Sequence, residues 1–309
     1  MIPDTAAGRI LSGVGGLYRI DARPGHTILL ASARGLFRKS GFVPTAGDIV
    51  DCQSSGDPDR PWRIMSVRER KNFLIRPSVA NLDGLIIIVS AADPPPDFLL
   101  VDKMLALSLI HGIEPLICLT KTDLSDPGID RLDDYRPVGC RLIETNLQNE
   151  TGLEALMSWI CGKTVCMAGQ SGVGKSTLLN RLFGSEQMAV GELSLKIGRG
   201  RHTTREVVFF PFAGGYLADT PGFSSLELYQ LGITGSQLPL AYPELADVGE
   251  RCRFSGCRHV GELGCAVTAC AIAPERLRRY RDLREQLDAI HPWQSSRRQP
   301  YHDNLDDKY

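Results

Sequence analysis

The segment at residues 169–176 reads Gly-Gln-Ser-Gly-Val-Gly-Lys-Ser and fits the pattern G-x-x-x-x-G-K-S/T in full. An apolar run from Val165 to Ala168 precedes it, and a helical pattern from Ser176 to Leu182 follows it. A glycine-rich turn between a strand and a helix predicts a loop whose backbone amides surround phosphate groups at a helix amino terminus. The feature therefore favours an α/β sheet with a phosphate loop. The alternative is a glycine-rich turn with a surface lysine.

The side chains of this loop have separate predicted roles. Lys175 is expected to bridge oxygens of the β- and γ-phosphates, and Ser176 is expected to offer its hydroxyl to Mg²⁺. Contacts with the nucleotide are expected along the whole loop, from Gly169, Gln170, Ser171, Gly172, Val173, Gly174, Lys175 and Ser176.

Alternating strand and helix patterns surround the loop. The run from Leu82 to Val89 is almost continuously apolar and rich in isoleucine, as is typical of a strand buried on both faces of a parallel sheet. Helical spacing of apolar residues predicts helices at Phe98–Ile110 and Gly152–Ile160. Further strands are predicted at Pro115–Leu119, Leu142–Ile143, Val207–Phe210 and Tyr216–Ala218. This order predicts an α/β sheet with helices on both faces.

The amino-terminal region has a different pattern, with short apolar segments separated by turn residues, which predicts a small β-barrel. Strands are predicted at Leu17–Ile20, Thr27–Ala31, Ile49–Cys52 and Trp62–Val67, and Asn72–Arg76 is expected to be an exit linker. Residues 1–77 carry 12 Lys and Arg against 7 Asp and Glu, a local net charge of +5, although the whole chain has a formal net charge of −1. A basic first domain favours an anionic partner such as RNA; the alternatives are a solvated basic surface and a protein-binding barrel.

A second candidate motif, Thr120-Lys121-Thr122-Asp123, directly follows the predicted strand Pro115–Leu119. Ligands bind at the carboxyl ends of strands in open α/β sheets. A carboxylate at Asp123 could accept hydrogen bonds from N1–H and the 2-amino group of guanine, a pair of donors that adenine lacks, while the stem of Lys121 packs over the base. The alternatives are a helix N-cap and a nucleotide site that takes ATP.

The motif Asp219-Thr220-Pro221-Gly222 follows the predicted strand Tyr216–Ala218. Asp219 could hold Mg²⁺ through water, and the N–H of Gly222 could meet the γ-phosphate. The segment 198–205, Gly-Arg-Gly-Arg-His-Thr-Thr-Arg, lies between this motif and the phosphate loop. One of its threonines could ligate Mg²⁺ while the γ-phosphate is present, or the segment is a basic loop without that role.

Cysteines and a histidine cluster near the carboxyl terminus. Cys252, Cys257, His259 and Cys265 supply three thiolates and one imidazole within 14 residues, enough for a closed tetrahedral zinc site of the structural kind. Cys270 is a rival fourth ligand, and a set of buried thiols or a stray disulfide is the alternative.

A helix that follows the cluster is rich in arginine. Its side chains are interpreted either as phosphate contacts or as a solvated face, and they are Arg276, Arg278, Arg279, Arg281 and Arg284. Residues 292–309 are polar and are expected to be disordered.

Taken together, the phosphate loop, the Gly-Arg-Gly-Arg-His-Thr-Thr stretch, Asp-Thr-Pro-Gly-Phe and the upstream Thr-Lys-x-Asp resemble the RsgA (YjeQ) family of small ribosomal subunit biogenesis GTPases. In that family, as here, the base-binding motif precedes the phosphate loop, so the motif order is circularly permuted. The resemblance implies an RNA-binding OB-fold barrel at 1–72, a permuted GTPase domain at 73–231 and a helical zinc domain with a disordered tail at 232–309. It also implies late maturation of the small (30S) subunit through its 16S rRNA, with GTP hydrolysis stimulated by that subunit.

The resemblance carries specific roles onto matching residues. It implies nucleotide contacts for Thr177 and Gly222 in addition to the loop, and it favours Thr204 over Thr203 for Mg²⁺ and His259 over Cys270 for zinc. The loop that backs the base matches poorly and is assigned to Glu144-Thr145-Asn146.

Two positions depart from the usual GTPase pattern. Thr120 replaces the more usual asparagine, which predicts a lower affinity for guanine. Phe223 stands where many GTPases have a water-orienting glutamine, so unaided hydrolysis is expected to be slow, and His202 is the candidate for the missing group. A non-catalytic, GTP-dependent RNA-binding chaperone is the alternative function.

The nine cysteines are an odd number and five of them are scattered, which favours a reducing cytosol over a disulfide framework. No apolar run is long enough to cross a bilayer, and the amino terminus lacks a secretory signal pattern. A cytoplasmic location is therefore expected. Nothing in the sequence demands a dimer, and a monomer is expected.

Overall fold

A computed structural model describes residues 4–35, 37, 41–58, 60–124, 127–184, 207–219, 226–268 and 272–290. The first part is a closed barrel of five strands in the order β1-β2-β3-β5-β4. The strands are β1 (Thr5–Val14), β2 (Leu17–Arg23), β3 (Thr27–Ala33), β4 (Ile49–Ser54) and β5 (Trp62–Val67). The pair β3–β5 is parallel and the other pairs are antiparallel. Alternate residues such as Ile10, Ile20 and Ile64 fill the interior, which confirms the predicted barrel.

The segment predicted as an exit linker is instead half of a hairpin. Strand β6 (Phe73–Ile75) pairs with β7 (Ser78–Ala80). Leu74 and Val79 are buried, and Val79 also bridges to Ala46 of the barrel. The prediction of a linker was wrong because these apolar side chains pack against the body of the protein.

The central sheet has six strands in the order β10-β9-β8-β11-β13-β12. They are β8 (Gly84–Ser90), β9 (Glu114–Thr120), β10 (Arg141–Glu144), β11 (Thr164–Gly169), β12 (Val208–Phe212) and β13 (Gly215–Asp219). Strand β12 pairs antiparallel with β13, and the other neighbours are parallel. The carboxyl ends of five strands therefore meet at one edge, where Ser90, Thr120, Glu144, Gly169 and Asp219 end their strands.

Helices cover both faces of this sheet, as predicted. On one face α1 (Phe98–Ile110) packs against Leu85, Ile87 and Val89. On the other, α2 (Leu153–Ile160) and α3 (Lys175–Phe183) pack against Ile86 and Ile88. Because successive side chains of a strand point to opposite faces, the isoleucine run of β8 fills both cores.

The carboxyl-terminal part consists of short helical segments. Its 3-10 segments are Leu228–Leu231, Gly235–Ala241, Pro243–Leu245 and Ala266–Thr268, with α4 at Ala246–Gly249 and the longer α5 at Pro274–Asp288. Two further 3-10 segments, Thr122–Leu124 and Pro127–Val138, lie between β9 and β10. Tyr280 and Leu283 of α5 share one apolar core with Met104 of α1. Among the described residues, no helix is both long and apolar enough to span a membrane.

Two arginines of helix α5 are neither phosphate contacts nor part of a solvated face, the two roles that the sequence suggested. Arg276 and Arg279 are buried, and both donate to the fully buried carboxylate of Asp102 in α1. Arg276 also donates to Glu244 over 2.5 Å. Burial lowers the pKa of Arg276, but the charges of Asp102 and Glu244 outweigh it and leave that pKa raised. These two arginines are therefore interior ion-pair partners and cannot meet an external phosphate.

Candidate nucleotide-binding site and metal centre

The phosphate loop connects β11 to α3, and its backbone requires glycine at both ends. Gly169 has a φ of 154°, and a Cβ there would lie 2.4 Å from the carbonyl oxygen of Ile88. Gly174, which precedes α3, has a left-handed φ of 97°. Only glycine fits these positions at low cost, so the loop is shaped by its sequence before any ligand binds.

Lys175 begins α3 and bends back over the loop. Its Nζ donates to the carbonyl oxygens of Gly169 and Gln170 over 2.9 and 2.7 Å. Burial lowers the pKa of Lys175, and the charge of Asp219 opposes that shift. The ammonium thus lies against the loop, where the oxygens of a phosphate could replace the two carbonyls as its partners.

The remaining residues of the phosphate loop differ in their exposure to solvent. Val173 is buried and Gln170 is half-buried, whereas Ser171, Gly172, Ser176 and Thr177 are exposed. The hydroxyls of Ser176 and Thr177, in the first turn of α3, are therefore accessible to a ligand.

The Thr-Lys-x-Asp motif contacts this loop although it lies about 50 residues earlier in the chain. The buried Thr120 hydroxyl donates to the carbonyl oxygen of Val173 over 2.6 Å and also lies 3.2 Å from that of Val89. The Nζ of Lys121 donates to the carbonyl oxygens of Gly172, over 2.9 Å, and Asp93. Two motifs far apart in sequence therefore share one edge of the sheet.

Asp123 lies just beyond these contacts, in the 3-10 turn Thr122–Leu124, and is exposed. Its Oδ2 accepts a hydrogen bond from Nε2 of Gln148 over 3.0 Å. Sequence analysis did not identify Gln148, because no motif marks it. The fully buried Thr145, from the loop Glu144–Asn146, accepts a hydrogen bond at its carbonyl oxygen from the Thr122 hydroxyl over 3.3 Å. This loop thus lies beside Asp123.

Asp219 ends β13 next to the phosphate loop, since it pairs with Met167 of β11, two residues before Gly169. The side chain is half-buried, and its charge acts on Lys175. The other residues predicted for the γ-phosphate, metal and water lie outside the described residues, and they are His202, Thr203, Thr204, Gly222 and Phe223.

The four predicted zinc ligands are close together. The ligand atoms of Cys252, Cys257, His259 and Cys265 all lie within 4.8 Å of one another. Nδ1 of His259 is 3.6 Å from Sγ of Cys252 and 3.7 Å from Sγ of Cys265. Ligands about 2.0 to 2.3 Å from a tetrahedral zinc ion would have separations of this size. The donor set therefore fits one structural zinc ion, and Cys270 lies outside the described residues.

Neighbouring groups hold the zinc loop in shape. The carboxylate of Glu262 accepts hydrogen bonds from the backbone N–H groups of Arg258 and Val260, each over 2.9 Å. Although burial acts to raise the pKa of Glu262, these hydrogen bonds outweigh it and lower the pKa to about 2. Tyr280 and Arg281 of α5 donate to carbonyl oxygens of the same loop. The candidate metal centre is thereby fastened to α5.

The fold and the site define a circularly permuted GTPase, in which the Thr-Lys-x-Asp motif of an earlier strand contacts the phosphate loop and a barrel precedes both. The family model described as RsgA GTPase matches residues 67–229, and the RsgA N-terminal domain matches residues 7–59. The chain therefore belongs to the RsgA GTPase family and is a GTP-hydrolysing enzyme.

Individual relatives agree with this assignment. The protein of Geobacillus thermodenitrificans named "Small ribosomal subunit biogenesis GTPase RsgA" is 40% identical over 284 residues, which cover 89% of this chain and 95% of the relative. The crystal structure of YjeQ from Thermotoga maritima has a TM-score of 0.74 at 28% identity, covering 93% of this chain and all of that one. The crystal structure titled YloQ, a circularly permuted GTPase, has a TM-score of 0.74 at 30% identity, covering 93% and 96% of the two chains.

Proposed function

We propose that this enzyme binds the small (30S) ribosomal subunit, assists its late maturation and hydrolyses GTP at a rate that the subunit raises. Relatives that align with 89% and 92% of the chain carry the name small ribosomal subunit biogenesis GTPase. The structural observation that supports the nucleotide-binding part of the proposal is the contact of Thr120 and Lys121 with the phosphate loop, which would join the groups proposed for the base and for the phosphates in one site.

The proposed roles in the nucleotide site follow from position. The loop 169–176 and Thr177 hold the phosphates, Asp123 binds the guanine edge, and Thr120 and Lys121 tie that carboxylate to the loop. Mg²⁺, which stabilises charge on the phosphates, would be held by Ser176 and Thr204, with Asp219 acting through water. Gly222 would meet the γ-phosphate, and His202 would orient the attacking water.

The three units of the chain receive separate proposed roles. The barrel at 1–72 binds 16S rRNA, the unit at 73–231 hydrolyses GTP, and the unit at 232–309 carries one structural zinc ion. The net charge of +5 over residues 1–77 supports the first role. We also propose that the enzyme acts in the cytoplasm as a monomer.

The experiment that tests this function is GTP hydrolysis by the full chain, titrated with purified small ribosomal subunits. We expect slow release of phosphate alone and a saturable increase with small subunits, but no increase with large subunits. His202→Ala should lower the stimulated kcat and leave GTP affinity unchanged; unaltered turnover would remove His202 from the proposal. Lack of stimulation by small subunits would favour the alternative in which GTP is a structural ligand of an RNA chaperone.

A further inference from the structure

A cavity of about 310 Å³ lies between the barrel and the amino-terminal edge of the sheet. The barrel contributes Arg9 of β1 and Arg23 of β2, with Arg68 just after β5. The sheet side contributes Asp83, which precedes β8, and Tyr216 of β13. Three guanidinium groups face one carboxylate, so the lining has a formal charge of +2 and attracts an anion.

This cavity is separate from the nucleotide site. Tyr216 lies near the amino end of β13, whereas Asp219, beside the phosphate loop, lies at the carboxyl end of the same strand. Thr164, which also lines the cavity, begins β11, and the phosphate loop follows the end of that strand. The two sites thus occupy opposite edges of the sheet.

Two of the charged groups in the lining already have ionic partners. The carboxylate of Asp83 accepts from Nζ of Lys71 over 3.0 Å and from the N–H of Thr164 over 2.9 Å. Arg68 pairs with Asp51 over 2.7 Å, and both side chains are exposed. Asp83 is therefore shared with Lys71 and a backbone N–H, and its charge also acts on Arg9 without forming a close ion pair.

Among the described residues, Arg9 and Arg23 have hydrogen-bond partners but no ionic partner at close range. Arg9 donates to the carbonyl oxygens of Gly47 and Asn81 over 3.0 and 3.4 Å, and Arg23 donates to the hydroxyl of Tyr216 over 3.1 Å. Within the part of the chain that the structure describes, no ion pair joins either guanidinium to a carboxylate, and the charges of Asp83 and Asp48 act on Arg9 from farther away. Arg9 is half-buried whereas Arg23 is exposed. Because the Arg9 guanidinium is partly desolvated, binding of an anion beside it would stabilise its charge.

The aromatic ring of Tyr216 makes cation–π contacts with both arginines. The guanidinium carbons of Arg9 and Arg23 lie 5.1 and 5.3 Å from the centroid of the Tyr216 ring. The Tyr216 hydroxyl donates to the fully buried Asp21 over 2.6 Å, which fixes the ring. Burial lowers the pKa of Arg9; Tyr216 and the charge of Asp83 oppose that shift, and the charge of Arg23 adds to it. An anion beside Arg9 would favour its charged form. Two guanidinium groups that contact the same ring and line the same cavity suit a phosphate, because each guanidinium can bind phosphate oxygens through two parallel hydrogen bonds.

We propose that this interdomain cavity binds a phosphate group through Arg9 and Arg23, either the phosphodiester of an RNA or a free phosphate compound. Two glycines of the lining, Gly162 and Gly214, have open space where a Cβ would lie. A phosphate seated there contacts the barrel and is held against Tyr216 of the sheet, so it would fasten the first unit of the chain to the second.

Calorimetric titration of pyrophosphate into the full chain tests this proposal, with the nucleotide site filled beforehand by GDP and Mg²⁺. We expect binding to the unaltered chain and at least about tenfold weaker binding to Arg23→Gln and to Arg9→Gln, because each variant loses a charge-assisted contact. Arg63→Gln, which removes an exposed arginine outside the cavity, is the matched control and should bind as tightly as the unaltered chain. GDP affinity verifies the folding of every variant, and Arg23 is exposed enough to be replaced without disturbing the core.

The source of the phosphate is distinguished by competition. If a short single-stranded RNA displaces pyrophosphate from the unaltered chain, the site takes a phosphodiester; if pyrophosphate binds and the RNA does not displace it, the site takes a free phosphate compound. The proposal is overturned if pyrophosphate does not bind once GDP fills the nucleotide site, or if Arg63→Gln weakens binding as much as Arg23→Gln does.

Discussion

At the scale of single residues, Thr120 shows what the sequence could not reveal. Its departure from asparagine predicts weaker guanine binding, yet its buried hydroxyl joins the carbonyl oxygen of Val173 in the phosphate loop to the end of β9. A motif predicts which residue types come together, but a hydrogen bond to a backbone carbonyl 53 residues away depends on the folded sheet. The same reason applies to Gln148, which meets Asp123 without belonging to any motif.

Thr120→Ala should therefore weaken nucleotide binding. The substitution leaves a buried carbonyl of the loop without its donor, which costs on the order of 1–3 kcal/mol. We expect GDP affinity, measured by fluorescence titration, to fall about tenfold, whereas Thr120→Ser, which keeps the hydroxyl, should bind nearly as the unaltered chain does. Equal affinities for the alanine and serine variants would show that this hydrogen bond does not support the site.

At the scale of secondary-structure elements, the spacing of apolar residues correctly predicts those helices and strands that bury one or both faces. The helix Phe98–Ile110 was predicted with its observed bounds, and each sheet strand was predicted to within a few residues. The patterns of α1 and α5 could not reveal how they meet, because Asp102 and Arg276 are 174 residues apart. From sequence alone, a charged residue is predicted to be exposed unless its partner is known. The burial of these ion pairs could therefore be recognised only in the folded structure.

Those ion pairs give a prediction for stability. Asp102→Asn would leave Arg276 and Arg279 buried without a full counter-charge, and breaking a buried pair in this way costs about 3–5 kcal/mol. Asp133→Asn makes the same chemical change in an exposed pair with Arg136 and should cost at most about 1 kcal/mol. Urea unfolding of both variants compares these costs; a similar small loss in the two would mean that the interior network contributes little.

The metal centre can be tested at the same scale. One zinc ion per chain is expected by elemental analysis, and Cys265→Ser should lose it, because the thiolate is one of four converging donors. Cys161→Ser alters an exposed cysteine outside the cluster and should keep the metal. Full zinc occupancy in Cys265→Ser would exclude Cys265 as a ligand.

At the scale of the whole molecule, the order of the motifs predicted the permuted GTPase, because each motif follows its own strand and parallel strands bring their ends to one edge. The contacts that join the three parts of the chain could not be predicted from the sequence. The carboxyl-terminal unit shares an apolar core with α1. In the loop before α1, the carbonyl oxygen of Asp93 accepts a hydrogen bond from Nζ of Lys121. The barrel meets the sheet around Arg9, Arg23 and Tyr216.

This connection predicts that nucleotide state affects subunit binding. The chain reaches the carboxyl-terminal unit at residue 232, 13 residues after Asp219, with no further strand of the central sheet among the described residues between them, so a change at the γ-phosphate can act on that unit. We expect small subunits to bind the chain at least about tenfold more tightly with a non-hydrolysable GTP analogue than with GDP, a typical coupling of 1–3 kcal/mol. Sedimentation with subunits measures both affinities, and equal values would refute the coupling.

The account depends most on a single guanine nucleotide site built from two motifs in permuted order. The direct measurement is the affinity of Asp123→Asn for GTP and for ATP, compared with that of Lys175→Ala. The account predicts that Asp123→Asn loses GTP affinity by about tenfold or more, since a carboxylate that accepts from the base is replaced, while its weak ATP affinity stays the same. Lys175→Ala should weaken both nucleotides. Unchanged GTP affinity in Asp123→Asn, or an equal loss for both nucleotides, would contradict the guanine site.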